Sequence, residues 1–168
     1  ELASAEDPAL GELREACLGG DLVLFVGSGV SAAAGLPSWR RLVELLVGLA
    51  RARGADPALL DEIGELDAQG RFLDALSAAK AALGPAEFGR ELERQLDDRG
   101  KRVPEIGKAI AALAPRLRAL LTTNLDHLLE RALGGEWPML ARGTGDLAQR
   151  RAFILKLHGT LLDRATWV

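Results

Sequence analysis

The chain has 168 residues, of which 48% are hydrophobic and 4% aromatic, so it is long enough for one domain with a core rich in Leu, Ala and Val. Its formal net charge of −3 lacks the basic footprint of nucleic-acid binders, and we expect no direct nucleic-acid binding. A single cysteine, Cys17, excludes a disulfide framework and a four-thiolate zinc site within the chain. The same cysteine poverty fits the reducing cytoplasm that we predict as its location.

The start of the chain predicts a helix, a strand and a second helix, in that order. The first predicted helix covers residues 7–20 and ends at a pair of glycines. The apolar run over 22–26 consists of β-forming residues and predicts a strand buried on both faces of a parallel sheet. Ser38 predicts the N-cap of a helix that runs to about Arg53. Glycine and serine interrupt the apolar stretch around the strand, so it is too short to span a bilayer and we predict no membrane partner.

The middle of the chain, residues 55–115, is helical in pattern throughout and carries no strand signal. Helices separated by glycine and proline are predicted near 57–67, 70–83, 85–98 and 104–114. We predict a helical insertion here, beside a Rossmann core formed by residues 15–54 and 116–168. The insertion carries no motif that we assign to chemistry.

Strands and helices alternate again in the last part of the chain. Strands are predicted over 118–122, 138–141 and 151–157, with a helix over 126–133. This alternation predicts an α/β fold with a Rossmann-like parallel sheet. The strands at 22–26, 118–122 and 151–157 each run into a polar motif at their carboxyl end. In open α/β sheets that edge is where ligands bind.

The first polar motif follows the strand at 22–26 and combines glycine with serine. Its candidate ligand-binding residues are Gly27, Ser28, Gly29 and Ser31. Glycine permits a tight turn and close approach of the backbone to a ligand, and N–H groups at a helix start can cradle a pyrophosphate. The alternative is a tight strand-to-helix turn without a ligand. The spacing also differs from the dehydrogenase fingerprint of three glycines and a ribose-binding acid.

The second polar motif reads Thr122-Thr123-Asn124-Leu125-Asp126 and follows the strand at 118–122. The Asn124 side chain both donates and accepts hydrogen bonds, which suits a grip on ribose hydroxyls or on a water molecule. The alternative interpretation is structural: Asp126 caps the next helix, and Thr122 and Thr123 end the strand.

The third polar motif, His158-Gly159-Thr160, follows the strand at 151–157. An imidazole has an unperturbed pKa of about 6.5, so His158 is a candidate general base near neutral pH. A purely structural role is the alternative. The other histidine, His127, falls inside the predicted helix at 126–133, and we interpret it as a surface or packing residue.

In this order and spacing, the three motifs resemble those of the SIR2, or sirtuin, superfamily. That family carries a Gly-Ala-Gly-x-Ser-x-x-x-Gly-(Ile/Leu)-Pro-x-Phe-Arg stretch, then Thr-Gln-Asn-x-Asp, and then His-Gly. The matching positions here are Gly27, Gly29, Ser31, Gly35, Leu36, Pro37, Arg40, Thr122, Asn124, Asp126, His158 and Gly159. The resemblance covers roughly residues 21–46 and 118–163, and it implies a single SIR2-like domain over residues 1–168.

Several departures from the family pattern point to one branch of it. The two Cys-x-x-Cys pairs of sirtuin deacylases are not in this chain, Thr123 stands for the usual Gln, and Trp39 stands for the usual Phe. These changes resemble the SIR2-like NADases of bacterial antiphage defence. That branch implies a homo-oligomer, a fused or associated sensor domain, and a chain that is the N-terminal part of a larger protein. The family's later strands are expected after residue 168, so we predict an incomplete sheet.

The resemblance implies an NAD+ hydrolase that splits the nicotinamide–ribose bond without a metal. Asn124 would hold the ribose or the attacking water, and His158 would be the general base. The residues implied in NAD binding are Gly27, Ser28, Gly29, Ser31, Pro37, Trp39, Arg40, Thr123 and Asp126. Among these, Trp39 and Arg40 would cover the nicotinamide ribose as part of a flexible loop.

Three other functions stay open from the sequence. An NAD-dependent protein deacylase would use Asn124 and His158 with an acyl-lysine in place of water. A non-catalytic sensor would bind NAD or ADP-ribose and signal through a change of oligomer. A plain Rossmann scaffold would bind no ligand and would bury His158 among apolar side chains.

Overall fold

The computed structural model of the chain describes residues 8–141 and 145–167. The strands are β1 (Leu22–Val26), β2 (Leu117–Thr122), β3 (Met139–Leu140) and β4 (Phe153–Lys156). The helices are α1 (Pro8–Gly19), α2 (Gly29–Ala33), α3 (Trp39–Ala52), α4 (Pro57–Ala68), α5 (Phe72–Leu83), α6 (Pro85–Gln95), α7 (Glu105–Leu113) and α8 (Leu128–Ala132). Short 3-10 turns cover Ala114–Arg116, Leu147–Gln149 and Arg164–Thr166.

The strands form one parallel sheet in the order β1-β2-β4-β3, which confirms the predicted Rossmann-like α/β fold. The register places Val26 beside Thr122 and Thr122 beside Lys156. The carboxyl ends of β1, β2 and β4 therefore lie side by side, and the polar motifs that follow them start from one edge of the sheet.

Strand β1 lies at the border of this sheet, and its exposure corrects one prediction. Val23 and Phe25 are 49% and 61% exposed, whereas Val26 is buried. The expectation of a strand buried on both faces is therefore wrong for β1. One face packs with residues of α2 and α7, such as Val30 and Ile110, whereas Val23 and Phe25 stay exposed. The sheet is open on this side, in line with the predicted incomplete sheet.

Two separate hydrophobic cores stabilise the chain. The sheet core joins strands β1, β2 and β4 to helices α2, α7 and α8; its buried members are Val26, Val30, Ile110, Leu120, Leu129, Leu133 and Ile154. The helical core lies among α3, α4, α5 and α6; its buried members are Leu42, Val43, Leu46, Ile63, Ala75, Leu76, Ala79, Phe88, Leu92, Leu96 and Leu125. Leu125, which follows β2, is the member that the sheet edge contributes to the helical core.

Local sequence signals explain the element boundaries. Ser38 caps α3 as predicted, because its hydroxyl accepts the Arg41 N–H at 3.3 Å. Helix α8 begins at Leu128, later than predicted, with His127 at its N-cap, and the Asp126 carboxylate accepts the Leu128 N–H at 3.1 Å from the turn before the helix. The one-turn helix α2 inside the glycine motif was not predicted. Helices α4 to α7 lie within the predicted helical region, and the domain boundaries remain a prediction.

Candidate active site

Asn124 connects the ends of β1 and β2. Its side-chain Nδ2 donates to the Gly27 carbonyl at 3.1 Å, and its backbone N–H donates to Thr122 Oγ1 at 3.0 Å. The Thr122 hydroxyl in turn donates to the Val26 carbonyl at 2.8 Å. Asn124 is buried, and its Oδ1 is a buried atom without a partner among the described residues. The amide is therefore held by its nitrogen, while its oxygen is free to accept a hydrogen bond.

A second hydrogen bond joins the glycine motif after β1 to the motif after β2. The buried Ser31 hydroxyl donates to Asp126 Oδ2 at 2.5 Å, while Asp126 Oδ1 accepts the Leu128 N–H. Asp126 thus binds the N–H of the first residue of α8, although the N-cap position itself is His127. The other carboxylate oxygen of Asp126 makes a long-range contact, because it binds the hydroxyl of Ser31, which is 95 residues away in the sequence.

The glycines of the first motif leave room that the protein does not fill. A Cβ atom added at Gly27 or at Gly29 would meet no atom within 4 Å, and neither residue has a positive φ. Packing within the described residues therefore does not require glycine at these positions, whereas close approach of a ligand would. Both glycines line an apolar groove along β1 that also includes Ile106 and Leu113.

His158 follows β4 and faces Trp39. The two rings meet edge to face with their centroids 6.1 Å apart. His158 Nδ1 is buried and has no hydrogen-bond partner among the described residues. Burial lowers the pKa of His158 below its usual 6.5, so the imidazole is neutral at pH 7 and able to accept a proton.

Two clefts meet at Trp39 and Leu125. The smaller cleft, with an empty volume of ≈ 270 Å³, is also lined by Ser28, Ser31, Pro37, Leu42, Leu96, Asn124 and Asp126. The larger cleft, with an empty volume of ≈ 490 Å³, is also lined by Leu73, Leu76, Ser77, Lys80, Phe88, Leu92, His158 and Trp167. The indole of Trp39 thus stands between the cleft that holds Asn124 and the cleft that holds His158.

Four of the predicted binding residues lie outside both clefts: Gly27 and Gly29, which line the groove along β1, and Arg40 and Thr123. Arg40 contacts Asp67 at 4.0 Å and lies over the Phe72 ring at 5.9 Å. Thr123 is half-buried and lines neither cleft. Trp39 and Arg40 form the first turn of α3 rather than a flexible loop, because the Ser38 cap starts the helix directly before them.

The structure adds Lys156 to the site, a residue to which the sequence analysis gave no role. Its side chain is fully buried in β4, and its ammonium donates to the carbonyls of Leu125 and Asp126 and to Glu130 Oε1, the last at 2.7 Å. The ammonium therefore holds the backbone that carries Asn124 and Asp126. A lysine inside an otherwise apolar strand is a sequence signal that could have identified it.

His127 lies before the helix in which it was predicted, and its contacts fit the packing role rather than the surface role. This residue lies just before α8, its side chain is 22% exposed, and its ring is hydrogen-bonded rather than free at the surface. His127 Nε2 lies 3.2 Å from Thr160 Oγ1, and its backbone N–H donates to Asp98 Oδ2 at 3.0 Å. Asp98 is separated from it by 29 residues, so no local pattern could predict the contact.

Within 8–141 and 145–167, no three His, Cys, Asp or Glu side chains are grouped as metal ligands. In that part of the chain, no helix has both the length and the apolar character needed to cross a bilayer.

Comparison with known proteins gives one positive result. No curated protein matches the chain. Residues 118–168 match the family model described as SIR2-like domain. The matched segment contains the second and third motifs, with Asn124 and His158, but not the glycine motif after β1. The match confirms the resemblance over residues 118–168 and supports a SIR2-like superfamily assignment.

Proposed function

We propose that the chain is an NAD+ glycohydrolase, which converts NAD+ and water into nicotinamide, ADP-ribose and a proton. The observation that carries the proposal is a pair of buried polar atoms, Asn124 Oδ1 and His158 Nδ1, that have no partner among the described residues. Buried polar atoms are normally hydrogen-bonded, so an unpartnered pair on either side of Trp39 marks a place for a polar ligand. NAD+ supplies a good leaving group when bound, because cleavage neutralises its pyridinium ring.

Asn124 would act as an acceptor of fixed orientation. Its Nδ2 is held on the Gly27 carbonyl, so its Oδ1 is directed away from that carbonyl and can accept from a ribose hydroxyl or from a water molecule. Lys156 and Thr122 hold the backbone on either side of it. Such fixed positioning is what a reaction with an activated leaving group requires from a protein.

His158 would be the general base. Its lowered pKa keeps the ring neutral at pH 7, and Nδ1 has no hydrogen bond within the described part of the chain that would compete for a proton. The proton that it accepts, from water or from a ribose hydroxyl, balances the reaction. Positioned bases of this kind contribute about 10²- to 10⁴-fold to a rate.

The remaining predicted binding residues fit NAD+ to different degrees. Ser28, Ser31 and Pro37 line the cleft of Asn124, and the open space at Gly27 and Gly29 would admit a pyrophosphate close to the backbone. Asp126 would act through its bond to Ser31. For Arg40 and Thr123, the support is the motif resemblance alone.

The experiment is nicotinamide release from NAD+ by the wild type, by Asn124→Ala and by His158→Ala, with Lys108→Ala as a surface control outside both clefts. We expect release by the wild type and by the control, and a loss of about 10²-fold or more in each site variant. Release that survives both site substitutions would refute the assignment of the site. NAD+ binding without release by any variant would refute the hydrolase and favour a sensor.

We further propose that this activity serves bacterial antiphage defence, in a homo-oligomer with a fused or associated sensor domain. The support is the motif resemblance: Thr123 and Trp39 replace the usual Gln and Phe, and the chain has one cysteine. Release of O-acyl-ADP-ribose from acyl-lysine peptides would instead support a deacylase.

A further inference from the structure

We propose that His127 is a positioning residue for His158. His127 links Thr160 to Asp98, and Thr160 in turn holds the backbone of His158 in place. The kinetic part of this inference rests on the proposed NAD+ hydrolysis. His127 does not line the two clefts that contain Asn124 and His158, so it is not placed to touch a substrate there.

The ring of His127 bridges two segments that are distant in the sequence. Nε2 lies 3.2 Å from Thr160 Oγ1, and Nδ1 lies 3.6 Å from Asp98 Oδ1. Asp98 is almost fully buried and also accepts the backbone N–H of His127 on Oδ2. Asp98 belongs to the segment after α6, whereas Thr160 belongs to the segment after β4. His127 therefore joins the end of the helical region to the third motif, with its backbone N–H bonded to Asp98 and its ring bonded to Thr160.

Thr160 transmits this restraint to His158, two residues before it. The Thr160 N–H donates to Thr166 Oγ1 at 3.0 Å, and its carbonyl accepts from Trp167 Nε1 at 2.7 Å. Gly159, between them, has φ +91°, and an added Cβ would collide with the carbonyl of Thr166. The backbone around Thr160 is thus fixed at its N–H, at its carbonyl and at its side chain. A shift of Thr160 would displace His158 and the Trp167 indole, which line the same cleft.

Asp98 is held independently of His127, so the histidine can be replaced without releasing it. Arg131 donates to the Asp98 carbonyl at 2.7 Å and to the Lys101 carbonyl at 2.6 Å, and its guanidinium lies 3.6 Å from the Asp98 carboxylate. Removal of the imidazole would therefore loosen the Thr160 side of the bridge more than the Asp98 side.

The order Asp98, His127, Thr160 also resembles a charge-assisted nucleophile triad, but burial argues against that role. Thr160 is only 2% exposed, so a substrate carbon cannot approach its hydroxyl. That hydroxyl also lies 3.4 Å from the N–H of Leu162, within the turn that it stabilises. The geometry supports positioning of the motif and not covalent catalysis.

The test uses the fact that the chain contains two histidines. In protein labelled with ¹³C-histidine, any His127 variant leaves the His158 ring as the one histidine signal in the NMR spectrum. His127→Gln keeps a polar atom near the place of Nε2 and should retain the bond to Thr160. His127→Asn keeps one near Nδ1 and should lose that bond. His127→Ala loses both. Lys108→Ala is the control.

We expect His127→Ala and His127→Asn to lower kcat by about 10²-fold with little change in KM for NAD+, since a misplaced group costs rate more than binding. His127→Gln should recover most of kcat. The His158 signal should shift or broaden in the Ala and Asn variants and should return to its wild-type position in the Gln variant.

Several results would overturn the inference. One is a His158 signal and a kcat that stay at the wild-type values in His127→Ala. Another is the same kcat and the same His158 signal in the Gln and Asn variants. This comparison tests the inference even if the Ala variant does not fold. If the wild type releases no nicotinamide, the proposed function fails, but the NMR comparison still decides whether His127 positions His158.

Discussion

Replacement of Lys156 by Met should destabilise the fold by about 3–5 kcal/mol, because it leaves a largely buried carboxylate without its partner. The Lys156 ammonium is fully buried and the Glu130 side chain is 15% exposed, with 2.7 Å between Nζ and Oε1. Glu130 Oε2 is itself buried without a partner among the described residues. Met retains the apolar stem of Lys up to Cε, so loss of the ammonium rather than of apolar volume dominates the change.

A double-mutant cycle separates the ion pair from the backbone contacts of Lys156. We expect Glu130→Leu to recover part of the stability that Lys156→Met loses, with a coupling energy of about 0.5–3 kcal/mol. The part that is not recovered reports the donation to the carbonyls of Leu125 and Asp126. The surface pair Lys108 and Glu105 provides the matched control, and Lys108→Met should change stability by less than about 1 kcal/mol.

The assay is urea unfolding at pH 7, monitored by fluorescence of the three tryptophans. A loss of less than about 1 kcal/mol in the free energy of unfolding of Lys156→Met would refute the reasoning. It would show that the Glu130 carboxylate does not need the Lys156 ammonium to stay buried. A coupling energy near zero would show that Glu130 does not depend on Lys156. Nicotinamide release by the folded fraction would then test whether the backbone held by Lys156 also positions Asn124.

Two further predictions concern the third motif. The acid limb of kcat/KM should have its midpoint below pH 6.5, because burial lowers the pKa of His158 and the neutral base persists to lower pH; a pH–rate profile with a midpoint at or above 6.5 would contradict this. Gly159→Ala should destabilise by about 3 kcal/mol or more, because the residue has φ +91° and a Cβ would meet the Thr166 carbonyl. In contrast, Gly64→Ala, in open space within α4, should stabilise by about 0.5–1 kcal/mol; equal effects in urea unfolding would refute the argument.

The elements that sequence predicted well have local causes. The run Leu22–Val26 forms β1 with the predicted bounds, because an apolar stretch of β-formers ends at a glycine turn. Ser38 starts α3 because a hydroxyl at that position satisfies a free N–H group of the first turn. The three polar motifs meet at one edge because parallel strands present their carboxyl ends together.

The features that sequence did not predict depend on distant partners. Whether Phe25 is buried depends on which strand or helix lies beside β1, and the hydrophobic pattern of β1 alone does not contain that information. The environment of His127 depends on Asp98 and Thr160, which approach it only after α6 and β4 are in place. The role of Lys156 likewise depends on the turn after β2, whose carbonyls receive its ammonium.

The division into two hydrophobic cores has a consequence for how the candidate site is lost. Trp39 and Leu125 pack with the helical core, whereas β1, β2 and β4 belong to the sheet core. Cooperative units of this kind open with different free energies, which native-state hydrogen exchange resolves. Since the clefts need walls from both units, opening of either unit alone dismantles the site while the other stays folded. The backbone amides of the site should therefore exchange with the opening free energy of the less stable unit, which is lower than the free energy of unfolding the whole molecule.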